Sequence, residues 1–318
     1  MKKLKLLIIG SNFGKYHLNA SIKSKKFDKI IISSPNILKK KLPKKIYKYK
    51  NFKIPLKNFK IDMITIATKP KIQNDVLEYL LLNKIFPKYI FLEKPLLKES
   101  ISILKKFPKK SHILTNFIFL FSNKWKIFQK KIINFNIIGN FEYNWFFKQA
   151  YFINKKKTWK TNPIHGGGLI NYYLPHAIFN ILSIYKNVKF FKIIKKRFHR
   201  NLLTYLEISF LLNKNISILR INNNSNINLH KLESMNSYKN INLSICNKSN
   251  KWLSNFKIYS QNKQINKTKK ISNDKDGREK ILINIYSNLN SYFSTKNVEK
   301  NKSLTYKTFE IINKINKI

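Results

Sequence analysis

Leu4-Lys5-Leu6-Leu7-Ile8-Ile9-Gly10-Ser11-Asn12-Phe13-Gly14-Lys15-Tyr16-His17 reads as a buried strand, a tight turn and the start of a helix. The run from Leu4 to Ile9 is continuously apolar rather than alternating, as in strands covered on both faces. Gly10 and Gly14 lie where the turn enters the helix, and a helix N-terminus offers backbone N–H groups to an anion. The pattern departs from G-x-G-x-x-G: the glycines are one residue too close, with Ser11-Asn12 between them. Asn12, which tolerates positive φ, is expected to replace the missing glycine. An ordinary strand–helix turn has the same appearance, so this stretch needs support from the rest of the chain. His17, one turn into the helix, reads as a satisfied surface or core histidine.

Outward from this stretch, strand-like and helix-like segments alternate. Lys29–Ser33, Ile61–Thr68 and Tyr89–Leu92 read as strands, and about Phe13–Lys23, Ile72–Asn83 and Ser100–Phe107 as helices. In the second helix Val76, Leu77, Leu80 and Leu81 share one face. Ile113–Phe121 reads as a strand leading out. Such alternation predicts a parallel sheet with helices on both faces, a Rossmann-type domain over residues 1–117.

The pattern then changes. From about Asn134 to Lys148, and over Val188–Lys196, Thr204–Leu212, Ile216–Ile221 and Ile227–Leu232, strand follows strand. A large, mainly antiparallel sheet is expected, interrupted by a long helix from Gly168 to about Tyr185. Residues 118–318 are therefore read as an α+β domain for substrate and self-association, expected to form a homo-oligomer through its sheet. Two amphipathic helices close the chain and are expected to pack back on the first domain. One carries Leu282, Ile285, Tyr286, Leu289 and Phe293; the other carries Leu304, Thr308, Ile311 and Ile315. Asn222–Asn226 and Gln261–Asp276 read as loops, and Trp125, Trp145 and Trp252 as core.

The 318 residues carry a formal net charge of +50, which points to nucleic acid or another anion. Arginine, the better bidentate reader of phosphate and base edges, occurs at Arg197, Arg200, Arg220 and Arg278, and the rest of the excess is lysine. Lysine is also spread evenly with Ile, Asn, Phe and Tyr, the residues of AT-rich codons. Codon bias accounts for the charge, and no specific nucleic-acid partner is expected. One cysteine, Cys246, excludes an internal disulfide framework. The apolar run after Met1 is too short for a signal peptide or a membrane span, so a cytoplasmic protein is expected. His112, His165, His199 and His230 lack metal-ligand spacing, and no metal is expected.

Five of the seven glycines fall at two places, Gly10 with Gly14 and Gly166-Gly167-Gly168, which asks for a backbone reason. After the second strand, Ser33-Ser34-Pro35-Asn36 offers no acid for a ribose 2′-hydroxyl, and Lys39, Lys40 and Lys41 follow. That favours NADP slightly over NAD.

Phe91-Leu92-Glu93-Lys94-Pro95-Leu96, a strand ending in Glu-Lys-Pro, resembles the signature of the Gfo/Idh/MocA family, the glucose–fructose oxidoreductase and inositol dehydrogenase relatives. Ile66-Ala67-Thr68-Lys69-Pro70 resembles that family's Ala-Thr-Pro turn, and Trp159-Lys160-Thr161-Asn162 before the triple glycine resembles its Trp-Arg-x-Asp. His176, eight residues past Gly168, falls where the family keeps a catalytic histidine. The resemblance implies an NAD(P)-dependent oxidoreductase acting on a sugar, a sugar nucleotide or a similar small hydroxy or carbonyl compound. It implies that Gly10, Ser11, Asn12, Phe13, Gly14, Ser33, Ser34, Thr68, Pro70, Glu93 and Lys94 line the cofactor. It further implies that Lys94 stabilises charge on the reacting oxygen and that His176 moves the hydroxyl proton.

The departures are Tyr172 where the family has Asp, and Gln73 where it often has His. Tyr172 is taken as an assisting catalytic group. Pro175 should kink the long helix just before His176. Tyr172 and Asn180, at i−4 and i+4 from His176, would form a polar stripe with it. A non-catalytic relative that keeps the fold as a binding or regulatory subunit is the second reading, and a basic nucleic-acid binder the third.

Overall fold

The computed structural model describes residues 4–39, 41–137, 139–155, 157–236, 241–249, 255–261, 263–264 and 277–318. Lys40, Trp252 and most of the Gln261–Asp276 stretch lie outside the described residues. The chain divides into two units, residues 1–116 with 278–306, and residues 117–277 with 307–318.

The first unit is built on a sheet of β1 (Leu4–Ile9), β2 (Phe27–Ser33), β3 (Ile46–Tyr49), β4 (Met63–Ile66), β5 (Tyr89–Glu93) and β6 (His112–Asn116). Their order is β3-β2-β1-β4-β5-β6, and every pairing is parallel. Leu6, Leu7, Ile8, Ile31, Ile64, Ile90, Phe91 and Leu92 are fully buried, which accounts for the unbroken apolar runs. Helices α1 (Gly14–Ser24), α2 (Lys53–Asn58), α3 (Pro70–Leu82) and α4 (Lys98–Lys105) connect the strands. Pro70 opens α3 at a position where a missing N–H costs nothing.

The chain returns to this unit through α8 (Arg278–Ser287), α9 (Leu289–Tyr292) and the start of α10 (Thr295–Asn316). The Tyr89 hydroxyl donates to Asn290 at 2.9 Å, and Tyr89 meets Phe293 with ring centroids 5.2 Å apart. β6 is an edge strand, and Asn301 covers it. The Asn301 side chain accepts from Thr115 N at 2.9 Å and donates to Thr115 O at 3.1 Å, completing the backbone as a neighbouring strand would.

The second unit carries an eight-stranded sheet. Its strands are β7 (Asn140–Lys148), β8 (Val188–His199), β9 (Leu202–Leu212), β10 (Asn215–Asn222), β11 (Asn224–Asn236), β12 (Ile241–Asn247), β13 (Lys257–Ser260) and β14 (Lys263–Gln264). The order is β14-β13-β12-β11-β7-β10-β9-β8, antiparallel throughout except for the parallel β7–β10 pair. Helices α5 (Asn123–Asn134), α6 (Ala150–Asn154) and α7 (Leu174–Ile184) complete it. Trp125, Phe128 and Ile132 of α5 are buried, as are Trp145 and Phe256, within one aromatic core.

Several expectations are corrected. Ile118–Phe121 is a 3₁₀ turn, not the end of a strand, because a short apolar run fits either conformation. β3, α2 and α5 were not foreseen; interleaved lysines hide their apolar faces. Asn224–Asn226 lie within β11, leaving Asn223 as the connection to β10 rather than a five-residue loop. Pro175 sits in the first turn of α7, after a π-helical turn at Leu169–Tyr173, and so it begins a helix instead of kinking one.

Candidate functional site

β1, β4 and β5 are consecutive in the first sheet, so their carboxyl ends bring three motifs side by side. These are the turn at Gly10–Gly14, the turn at Ala67–Thr68, and Glu93-Lys94. Gly10 has φ +107°, and a Cβ there would stand 2.3 Å from the Ala67 carbonyl oxygen. Glycine is therefore required for the β1 turn to lie against the β4 turn. Asn12 is not among the positive-φ residues, so it does not substitute for a glycine; Gly10 bears that conformation. Helix α1 begins with no side chain capping it, which leaves its first turn to backbone partners or a ligand. Ser34 Oγ donates to Ser11 Oγ at 3.0 Å, joining the end of β2 to the β1 turn.

Two buried carbonyl oxygens at this edge have no hydrogen-bond partner among the described residues, Gln73 Oε1 on α3 and Asn116 Oδ1 at the end of β6. The Gln73 amide is held by donation to Thr68 O at 3.2 Å. A buried unpartnered acceptor is costly and marks a place for a donor from a ligand. These oxygens, the uncapped helix and the glycine turn fit a dinucleotide carrying both phosphates and amide donors.

Glu93 belongs to the interior of this edge. Its Oε1 accepts from His17 Nε2 at 2.8 Å and from Asn116 Nδ2 at 2.5 Å. His17 is fully buried, and its Nδ1 lies 2.8 Å from the Tyr286 hydroxyl, which lies 2.9 Å from Thr65 Oγ1. Burial, reinforced by the Glu93 charge and opposed by the Thr65 contact, pushes the Tyr286 hydroxyl above the usual phenol range. The side chains of α1, β4, β5, β6 and α8 thus meet in one buried chain. Lys94 follows directly, joined to Pro95 by a cis peptide. Arg278 places its guanidinium 5.4 Å from the Phe13 ring centroid and 4.9 Å from that of Tyr16, against the helix that leaves the turn.

In the second unit the triple glycine has its own backbone reason. A Cβ on Gly167 would come within 2.2 Å of the Trp159 carbonyl oxygen, so the glycines let the Trp159–Asn162 segment lie against the start of the π-turn. Asn162 Oδ1 accepts from Ile164 N at 3.0 Å and caps the short turn between them. Tyr172 packs edge-on against Trp159 and Tyr173. His176, 2% exposed, lies among Phe117, Phe119 and Trp145.

The expected polar stripe is corrected at Asn180. Its side chain is fully buried and donates to the Tyr143 hydroxyl at 3.3 Å, which contacts His230 Nε2 at 2.6 Å. Asn180 therefore serves the core. Sequence reading missed His17, Tyr286, Asn116 and Arg278 as members of the first cluster. His17, three residues past Gly14, carried a local signal; the others come from distant elements and carried none.

Residues 4–117 match the model of the oxidoreductase family with an NAD-binding Rossmann fold, Gfo/Idh/MocA. That stretch holds the Gly10–Gly14 turn, the Ala67–Pro70 turn and Glu93-Lys94-Pro95. Over the full length the chain is similar to solved structures. One is levoglucosan dehydrogenase in complex with NADH, at 13% identity and TM-score 0.74, covering 99% of this chain and 98% of that one. Another is a mutant of KijD10, a 3-ketoreductase from Actinomadura kijaniata, in complex with TDP-benzene and NADP, at 10% identity and TM-score 0.76, covering 99% and 98%. A third is the dehydrogenase MviM from Clostridium difficile, at 15% identity and TM-score 0.71, covering 100% of both chains. At these identities the likeness is one of fold. No curated protein matches by sequence. No helix among the described residues is long and apolar enough to cross a membrane.

Proposed function

We propose that the chain is an NAD(P)-dependent oxidoreductase that moves hydride to or from a carbon bearing a hydroxyl or carbonyl on a sugar, a sugar nucleotide or a similar small polar compound. The observation that carries this reading is the placement of Glu93-Lys94 at the carboxyl end of β5, two strands from the glycine turn on β1. Open α/β sheets bind ligands outside those strand ends. The neighbours crystallised with NADH and NADP, and the dehydrogenase and ketoreductase among them, support it.

The residues from Gly10 to Gly14, with Ser33, Ser34, Thr68, Pro70, Glu93 and Lys94, would hold the cofactor. When bound, the nicotinamide supplies the hydride acceptor or donor. The chain's own residues handle the proton and the charge. The Lys94 ammonium steadies negative charge developing on the substrate oxygen. His176 takes or returns the hydroxyl proton, with Tyr172 assisting as a hydrogen-bond donor. The end of β2 offers Ser33 and Ser34 and no acid, which favours NADP.

Fluorescence titration with NADPH and NADH tests the cofactor, with tighter NADPH binding expected. Binding of neither would sink the reading. With a turned-over substrate in hand, Lys94→Ala and His176→Ala should each lower turnover by roughly 10²–10⁴, and Tyr172→Phe by less. Normal turnover of Lys94→Ala would reject its assigned role.

A further inference from the structure

Behind Glu93, the side chains of His17, Tyr286, Thr65 and Asn116 form one buried hydrogen-bonded chain that ends on its carboxylate. Successive strand residues point to opposite sides, so the orientation of Glu93 sets the direction in which Lys94 leaves β5. A carboxylate cannot donate, so His17 donates to it from Nε2, leaving Nδ1 to accept the Tyr286 hydroxyl hydrogen while Thr65 donates to the Tyr286 oxygen. Both ring nitrogens of His17 and the Tyr286 hydroxyl are satisfied in that arrangement. Two donors converge on one Glu93 oxygen, His17 from α1 and Asn116 from β6, and fix the carboxylate from both sides. In a protein with 64 lysines and arginines, an unheld carboxylate at this edge would be drawn to nearby ammonium groups, including that of its neighbour.

We infer that His17 and Tyr286 are positioning residues: through Glu93 they fix where Lys94 presents its ammonium at the carboxyl edge of the sheet. The inference rests on the proposed oxidoreductase reading, in which Lys94 meets the reacting oxygen. Neither residue touches substrate; both act through the carboxylate. Tyr286 comes from α8, so the closing segment of the chain takes part in setting the site.

The test is the chemical reactivity of the Lys94 amine, followed by competitive acetylation with acetic anhydride and peptide mass spectrometry on the full-length protein. Exposed Lys189 and Lys192 serve as internal references. His17→Leu removes both hydrogen bonds and should change the relative Lys94 rate at least threefold, leaving the references unaltered. His17→Gln, whose amide can donate to Glu93 and accept from Tyr286, should restore the wild-type rate; a residue with a merely space-filling role would show no such rescue. Tyr286→Phe breaks the outer link alone and should give a smaller change in the same direction, and it decides the matter should His17→Leu fail to fold. A wild-type Lys94 rate in the folded variants overturns the inference. Lys94→Ala separates the two claims: normal turnover there rejects the catalytic reading, whereas the labelling result stands on its own.

Discussion

Gly10 and Gly14 look equivalent in sequence, yet the structure asks very different things of them. A methyl group on Gly10 would collide with the Ala67 carbonyl at 2.3 Å, on a backbone at φ +107°, whereas on Gly14 it would meet the Ile8 Cγ2 at 3.3 Å. Gly10→Ala should therefore destabilise the fold by about 2 kcal/mol or more from backbone strain and displacement and abolish NADPH binding. Gly14→Ala, inside a helix, should stay within about 1 kcal/mol of wild type. Urea denaturation of both variants checks the contrast. His230 gives a pH-dependent case. Burial pushes its imidazole down to about 3, from 6.5. The unfolded chain then binds a proton that the folded chain refuses, so this contribution is full above about pH 6.5 and is lost as acid is added. The slope is about 1.4 kcal/mol per pH unit between pH 6.5 and 3. Stability measured against pH should be flatter in His230→Gln, which keeps an acceptor for the Tyr143 hydroxyl; equal slopes would reject the assignment.

At the scale of elements, legibility followed distance along the chain. β1, α1, β4, α3 and β5 could be read because each motif sits within about a dozen residues and its apolar run is unbroken. α5 could not, since Lys124, Lys126, Lys130 and Lys131 dilute the stripe of Trp125, Phe128 and Ile132. The π-turn before α7 left no sequence mark beyond Pro175. The Glu93 cluster was half legible: Glu93 and Lys94 stood out, but His17 and Tyr286 are 269 positions apart, and nothing local ties one to the other. Asn301 is a further example, an amide that completes an edge strand from 186 residues away. Asn301→Leu removes both bonds to Thr115 and leaves two buried backbone groups unpaired. It should cost about 2–4 kcal/mol, with faster hydrogen exchange at Thr115. Unchanged exchange would show that β6 does not depend on this side chain.

Across the whole molecule the lysine excess is spread over both units, and the described residues include ion pairs from Lys23 to Glu279, Lys231 to Glu233 and Lys314 to Glu310. Arg220 also pairs, bonded through Nε to Glu207 at 2.9 Å and near Glu142 at 3.4 Å on the second sheet, and the acids are far outnumbered, 14 against 64 lysines and arginines. Binding to DNA or RNA should therefore be non-specific, with affinity falling steeply as salt rises. Fluorescence anisotropy with unrelated duplexes at 50 and 200 mM salt, about the range over which such binding collapses, measures this. Tight, sequence-dependent binding at the higher salt would show that the charge has a nucleic-acid role after all.

The return of residues 278–306 to the first unit has a consequence for synthesis. The parallel sheet is complete in the chain by Asn116, but Tyr286, Phe293 and Asn301 emerge from the ribosome only after the strands of the second unit. At about 5–20 residues per second, the nascent sheet waits on the order of ten to forty seconds for the helices that cover β5 and β6. The second unit's strands are made entirely within that interval. A growing chain thus carries an unfinished, edge-exposed sheet while the next sheet forms, the stage at which holding chaperones would have most to protect.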